Sequence, residues 1–385
     1  MRRIAVSPRP DWETKVEALG LTFHHTAMPD GQVIPYWDET AYYSFRMESV
    51  LELERVTNEL HQLCIEAAQH VIVKGRFGEL AIPKEAVPRI IKTWEEAQPS
   101  IYGRFDFWWD GDSPPKLLEY NADTPTAVLE AAVIQWQWLE ERFPGKDQFN
   151  SIHERLIEAW KRLRPYLWGE VLHFAHAYNP DSEDMMTTNY LRDTAEQAGI
   201  QTAALLVDDI GWDQQGKVFL DLEDRRIRSI FKLYPWEWIL QEEFGPHVLE
   251  SYKDMQWIEP IWKMLLSNKG ILAVLWELYP GHPNLLPTYL DGPRDMQAYV
   301  RKPILGREGS NISVVTPGSA LETPGGYGQE GFVYQAFSPL PVFDGFYPVI
   351  GSWVIEGEAA GMGIREAEGW VTRNWSRFVP HLIED

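Results

Sequence analysis

The period at which apolar and polar positions alternate changes along the chain, and each change marks an element. From Phe45 to Val73 the residues Val56, Leu60, Leu63, Ala67 and Val71 recur at helical spacing with acids on the opposite face, which predicts one long amphipathic helix. A second helix is expected over 84–97, whereas residues 1–45 are rich in aromatics, follow no period and read as irregular. Within RFDFWWDGDSPPKLLEYNADTPT, residues 104–126, the period falls to two. Arg104, Asp106 and Trp108 then share one face and Phe105, Phe107 and Trp109 the other; after the Asp110–Pro115 turn, Leu117, Glu119 and Asn121 share a face in their turn, so a β-hairpin is predicted. Asp123, with Thr124 and Pro125, reads as the N-cap of a helix over Thr126–Glu141, and another helix is expected over 151–164.

Beyond Val171, VLHFAHAY, IQTAALLV, KVFLDL and IRSIFKLY read as strands and Asp184–Gly199 as a helix. A helix near 236–244 and the apolar segment IEPIWKMLLSNKGILAVLWELYP follow, and then YVRKPI, FVYQAF, YPVIGSWVI and GMGIRE look like antiparallel strands punctuated by glycine. The predicted fold is therefore mixed, α+β or α/β, with a helical region and hairpin over 1–165, an α/β lobe over 166–245 and an antiparallel lobe over 246–385, working as one interdependent unit.

A hairpin would bring Asp106 close to Glu119 and Asn121. Three hard oxygen donors beside Arg104 suit Mg²⁺ held together with a nucleotide, because this ion takes few protein ligands and completes its octahedron with phosphate and water. The same spacing equally describes a half-buried hairpin whose charges face water. Lys269, entering an apolar helix, either snorkels or meets an anion. In KPILGREGSNI, Lys302 lies near a strand end, and the glycine-rich run Gly306–Asn311 could fold its N–H groups over a polyphosphate or form an ordinary hairpin turn.

Composition narrows the function classes. The 385 residues carry 57 acids against 35 Lys and Arg, a formal charge of −22 that repels nucleic acid and anionic membranes and is compatible with cationic amine substrates. The single cysteine, Cys64, lies within the long apolar stripe, so neither a disulfide framework nor a thiol nucleophile is expected. The absence of a signal-peptide pattern and of a membrane-length apolar run leads to a cytoplasmic expectation. There is no G-x-x-x-x-G-K-[ST] loop, and Gly326–Gly331, although it matches G-x-G-x-x-G, precedes the strand FVYQAF and reads as a hairpin loop. Most of the 18 tryptophans sit beside Leu and Ile at helical spacing and read as core, against a carbohydrate-binding surface. The pairs His24-His25 and His173/His176 lack Cys or acidic partners at a zinc spacing and read as structural.

The succession RFD, EYNADTPT, SNKGILAVLW, KPILGREGSNI, VYQAF and GMGIRE resembles the synthetase domain of the glutathionylspermidine synthase family along nearly the whole chain. The resemblance implies an ATP-grasp-like ligase that joins a carboxylate to an amine. It implies Mg²⁺ on Asp106, Glu119 and Asn121, and ATP on Lys269 and Lys302 with Gln335 at the adenine. Arg307, Gly309, Ser310 and Asn311 would belong to a phosphate lid, and Arg104 and Arg365 would lie near the reacting carboxylate and transferred phosphoryl group.

Departures from the family pattern bear on the substrates. Positions of glutathione-contacting serines appear as Thr124 and Thr126, and a family threonine appears as Leu233 in KLYPWE. Bifunctional family members carry an N-terminal cysteine amidase, whereas here the ligase motifs start the chain and Cys64 is the single cysteine, so amidase activity is not expected; the ending NWSRFVPHLI resembles a stand-alone acid–amine ligase branch. Glu183 and Asp184 fall where an acidic pair suited to an amine is implied, and they equally suit a helix start. The expected partners are a glutathione-like or peptide-like carboxylate and a polyamine-like amine. The alternatives are the same chemistry on another acid and amine, or a nucleotide-binding protein without catalysis.

Overall fold

The computed structural model describes residues 1–28, 31–180, 182–251, 253–373 and 375–384. Its longest element is the helix Met47–Lys74, which buries Val50, Leu53, Val56, Leu60, Cys64, Ala67, Ala68 and Val71 along one stripe and ends where Gly75 turns left-handed at φ 66°. Burial raises the Cys64 thiol pKa, consistent with a packed rather than reactive sulfur. The stripe rests on a five-stranded antiparallel sheet with strand order Arg377–Val379, Glu358–Ala367, Tyr347–Ile355, Tyr102–Trp108 and Lys116–Asn121. Phe105, Phe107, Leu117, Tyr120, Ile350, Met362 and Ile364 fill the space between sheet and helix. The opposite face of the sheet turns toward a cavity.

The predicted hairpin is present, and Asp106 pairs with Glu119 and Arg104 with Asn121. The expected face of Leu117 is corrected. A bulge places Leu118 as an extra residue between the Asp106–Glu119 and Phe107–Leu117 pairs, so Leu117 turns into the core while Leu118, Glu119 and Asn121 line the cavity.

A second, four-stranded sheet is wholly parallel, in the order Gln256–Ile258, Ser229–Leu233, Val171–His176 and Gln201–Leu206, with helix Glu183–Gln197 packed on it. KVFLDL is not one of its strands: Val218–Leu220 pairs with Gly211–Asp213 as a separate ribbon, and Gln256–Ile258 takes the edge instead. The third sheet, antiparallel, runs Thr288–Tyr289, Phe332–Ala336, Tyr299–Pro303, Ser313–Thr316 and Ser319–Glu322. The supposedly irregular N-terminal region contains strands Arg2–Ala5 and Ala41–Arg46, because the latter pairs in parallel with His381–Glu384 from the far end of the chain. Eight of the 18 tryptophans lie in the core, with Trp37, Trp109, Trp138, Trp160, Trp236 and Trp353 fully buried, and five more, Trp12, Trp94, Trp136, Trp212 and Trp276, pack against it. Among the described residues no helix is long and apolar enough to cross a membrane.

Candidate active site

The three sheets converge on a cavity of about 470 Å³, a size suited to small-molecule ligands. Arg104 and Asp106 enter it from one strand, Glu119 and Asn121 from its hairpin partner, and Arg365 from the strand Glu358–Ala367. Lys302 and Gln335 come from adjacent strands of the third sheet, and Lys269 from the turn before helix Ile271–Leu278.

Asp106 is the centre of a cationic clamp. Its two oxygens accept from Arg104 Nε at 2.6 Å and Nη2 at 3.2 Å, and Oδ2 also accepts from Arg365 Nη2 at 3.0 Å. Although burial disfavours the charge of Arg104, Asp106 raises its pKa further. Gly351, opposite Asp106 in the neighbouring strand, makes room for this side chain: a Cβ there would lie 2.9 Å from Arg104 Cδ. Arg104 Nη1 also donates to the carbonyl of Thr126 at 2.8 Å. The adjacent loop holds Ala127 at φ 66°, an unfavourable conformation for a residue with a Cβ and a mark of a constrained segment.

Glu119 faces Lys269 Nζ at 3.0 Å. Burial opposes its ionisation, but Lys269, Lys302 and Arg104 outweigh that effect and hold its pKa down at about 2. Lys302 Nζ donates to Gln335 Oε1 at 2.7 Å and to the carbonyl of Leu118 at 3.0 Å; burial and neighbouring Lys269 bring its pKa down to about 8. Asn121 Oδ1 is buried and, among the described residues, has no hydrogen-bond partner, a costly arrangement for an amide oxygen. The carboxylates of Asp106 and Glu119 and this amide oxygen form a hard-oxygen set of the kind Mg²⁺ accepts, so the residues fit the ion.

The glycine-rich segment after Lys302 separates into two faces. Gly306, Arg307, Glu308 and Gly309 line the cavity. Ser310 and Asn311 turn instead toward residues 324–327: Asn311 N–H donates to the Pro324 carbonyl at 3.2 Å and its side chain donates to the Tyr327 carbonyl. The G-x-G-x-x-G segment is not the hairpin loop its context indicated: it crosses from Ser319–Glu322 to Phe332–Ala336, two strands that are not neighbours in their sheet, and packs behind this turn. Arg307 reaches across the cavity, donating to Glu237 Oε1 at 2.6 Å and Thr124 Oγ1 at 2.9 Å.

Asp123 does not cap the helix after it, which begins only at Val128. Its carboxylate pairs with Lys232 at 2.5 Å and accepts the Trp236 N–H at 3.2 Å, because a buried charge recruits a buried cation. Thr126 and Leu233 line the cavity, as do Glu183 and Asp184 from the first turn of their helix. Sequence reasoning did not single out Tyr36, Glu130, Lys232 or Glu237. A lone acid within AVLEAAVI and another within WEWI were the available signals.

The histidine pairs lie elsewhere. His173 meets Asp221 at 3.1 Å. The helix Trp12–Ala18 does bring acids to the other pair, contrary to expectation: Glu17 lies 2.8 Å from His24 and Glu13 3.6 Å from His25, since two glutamates one turn apart approach from outside any recognised zinc spacing.

Comparison with known proteins gives a consistent picture. Residues 3–384 match the family model for the glutathionylspermidine synthase pre-ATP-grasp. The chain is 41% identical to a Haemophilus influenzae protein described as a "putative acid–amine ligase", with full coverage of both chains. It is 29% identical to the bifunctional glutathionylspermidine synthetase/amidase of Escherichia coli, covering 92% of this chain and 61% of that one. It is also 29% identical to the trypanothione synthetase of Crithidia fasciculata, covering 89% of this chain and 56% of that one. A glutathione synthetase-like effector from Globodera pallida shares the fold, with a TM-score of 0.59 at 10% identity over 97% of this chain and 96% of that one. The chain belongs to the glutathionylspermidine synthase family, and so to the carbon–nitrogen ligases.

Proposed function

We propose that this protein is an ATP- and Mg²⁺-dependent acid–amine ligase with an ATP-grasp-like arrangement, in which the segments 1–165, 166–245 and 246–385 act as one unit. The observation that carries the reading is the convergence on one cavity of an oxygen-donor set, Asp106, Glu119 and Asn121, with Lys269 and Lys302 on one side and Arg104 and Arg365 on the other. That is the charge distribution a triphosphate and a carboxylate require. ATP would lie with its phosphates on Lys269 and Lys302, its adenine by Gln335, and Gly306–Gly309 over the phosphates. Ser310 and Asn311 then hold the turn in shape, through residues 324–327, more than they touch nucleotide.

Asp106, Glu119 and Asn121 would hold Mg²⁺, which supplies neutralisation of phosphate charge. Arg104 and Arg365 position the substrate carboxylate for attack on the γ-phosphorus. The product is an acyl phosphate whose carbonyl is open to an amine. Such a transfer asks mainly for positioning and for cations where charge develops. Glu183 and Asp184, in the same cavity, give a cationic amine an anionic destination. The acid is a peptide-like carboxylate: Thr124 and Thr126 retain hydroxyls on its side of the cavity, while Leu233 presents an apolar surface.

The test is ADP release with Mg-ATP across a matrix of carboxylates, glutathione and short peptides among them, and amines, spermidine and diamines among them. Release that needs both partners, with a product mass equal to their sum less water, is the expected result. ATP binding without ADP release for every pair would overturn the ligase reading in favour of a non-catalytic nucleotide binder.

A further inference from the structure

Near Glu183 the cavity wall includes Tyr36, whose hydroxyl donates to Glu130 Oε1 at 2.7 Å. Glu130 is only 3% exposed and stands in an otherwise apolar run. It opens a π turn, Glu130–Ile134, in the first turn of the helix that follows the constrained Thr126–Ala127 loop, and π turns are uncommon and frequent at functional sites. Tyr36 is held by backbone hydrogen bonds with His24 and Phe378 and packs its ring on Phe23. Nothing in phosphate or metal chemistry calls for a buried carboxyl in this position.

We infer that Tyr36 and Glu130 form a proton relay for the amine substrate, with the Tyr36 hydroxyl facing the amine and Glu130 receiving the proton behind it. The inference rests on the ligase reading and adds to it a group that makes the nucleophile. An alkyl amine reaches the acidic end of the cavity as an ammonium ion, which has no lone pair. One N–H proton passes to Tyr36 Oη as the Tyr36 proton passes to Glu130, leaving a neutral amine, an intact tyrosine and a protonated Glu130. The amine lone pair then attacks the carbonyl carbon of the acyl phosphate. The C–N bond forms, the C–O bond to phosphorus-bound oxygen breaks, and the departing phosphate carries the second N–H proton. Glu130 returns its proton to water when the product leaves.

The surroundings suit the role. Burial raises the Glu130 pKa to about 7; nearby Glu183 pushes it the same way, while the Tyr36 hydrogen bond and Arg104 oppose the rise. Tyr36 feels Glu130, Glu183 and Arg365, and burial raises its pKa strongly, so the phenol stays protonated and conducts a proton without being lost as a phenolate. A carboxylate poised near 7 is a better acceptor for an ammonium proton than an ordinary glutamate and is still about half ionised at neutral pH. Glu130 is thus a positioning residue that acts through Tyr36, the group in reach of substrate.

Tyr36→Phe and Glu130→Gln test the relay, using the acid and amine pair that gives product in the matrix above. Amine-dependent kcat/KM at pH 7 is expected to fall about 100-fold in each variant. The wild-type profile should rise through about pH 7 as Glu130 ionises, and both variants should lose that limb. Hydroxylamine, neutral at pH 7, should still trap the acyl phosphate as a hydroxamate at within about threefold of the wild-type rate. That reaction also reports an intact fold and first half-reaction. Unchanged kcat/KM and profile in either variant, or hydroxamate formation falling in parallel with amide formation, would overturn the relay. Absence of amine-dependent product in the wild type would instead refute the ligase reading on which it rests.

Discussion

Replacing Lys232 with methionine keeps an unbranched side chain of similar reach and deletes its charge, which leaves the Asp123 carboxylate buried without its partner. Both side chains are only 1% exposed, the pair is 2.5 Å apart, and among the described residues Asp123 has one other donor, the Trp236 N–H. Breaking such a pair from one side costs about 3–5 kcal/mol, most of it the penalty of the stranded charge. With an unfolding entropy of about 2.1 cal/mol/K per residue, 385 residues give roughly 0.8 kcal/mol/K, so the melting temperature should fall by about 4–6 °C if the chain unfolds as one unit. The pH dependence follows from the same carboxylate. Burial already raises the pKa of Asp123 against the pull of Lys232, and removing Lys232 raises it further. A folded-state pKa above the unfolded one means stability that is present in acid and lost as pH rises through the folded value. The deficit of Lys232→Met relative to wild type should therefore be smallest in acid, where the Asp123 carboxyl is protonated, and grow as pH rises above the ordinary carboxylate range. Thermal unfolding followed by circular dichroism at several pH values measures it, and Asp123→Asn on top of Lys232→Met should recover about 1–3 kcal/mol. A drop under about 1 °C at pH 7, or single-variant losses that simply add in the double variant, would refute the account of this pair as mutually neutralising.

Asp106→Ala and Glu119→Ala should each cut Mg²⁺-dependent ADP release by about 100-fold or more while leaving the far-ultraviolet dichroism unchanged; undiminished turnover in both would remove the metal assignment. Arg307→Ala deletes the hydrogen bonds to Glu237 and Thr124 that tie the glycine-rich turn across the cavity, so KM for ATP should rise about tenfold and protease cleavage within 306–311 should accelerate, and an unchanged cleavage pattern would count against the tether. ATP affinity should weaken as pH rises through about 8, because burial and Lys269 lower the Lys302 pKa to that value and the neutral amine attracts phosphate poorly. Titration of ATP binding from pH 6.5 to 9 tests this, with Lys302→Arg expected to flatten the profile and a flat wild-type profile to exclude it.

What could be read from the sequence depended on how far apart partners lie along the chain. The long helix was legible because its whole apolar stripe, from Val50 to Val71, is written in one segment. The Asp106–Glu119 pairing was legible because a short turn fixes it locally. Leu117 was assigned to the wrong face because the bulge at Leu118 leaves no mark in a two-residue alternation. Asp123 looked like a helix cap because its true partner, Lys232, lies 109 residues away. The N-terminal region looked irregular for a similar reason: the strand that orders Ala41–Arg46 is His381–Glu384. Arg104, Asp106, Glu119, Lys269 and Lys302 were legible from local spacing and Arg365, Glu183 and Asp184 through motif resemblance, whereas the Tyr36–Glu130 contact joins a loop to a helix 94 residues on and has no local signature. Arg307 was correctly associated with the glycine-rich turn, but its attachment to Glu237 required the three-dimensional arrangement.

The order of strands in the central sheet also sets a schedule for biosynthesis. The hairpin bearing Asp106 and Glu119 hydrogen-bonds on its open side to Tyr347–Ile355, a strand that begins 239 residues after Trp108 (347 − 108). At a synthesis rate of about 5–20 residues per second, roughly 12–48 s pass between the emergence of the hairpin and the arrival of its neighbour. Throughout that interval Tyr102–Trp108 has an unpaired edge and an apolar face with Phe105 and Phe107, the kind of surface that adheres to other nascent chains. Asp106 and Glu119 are thus among the earlier residues made, yet the cavity they line is completed only when Arg365 and the strand carrying it have left the ribosome.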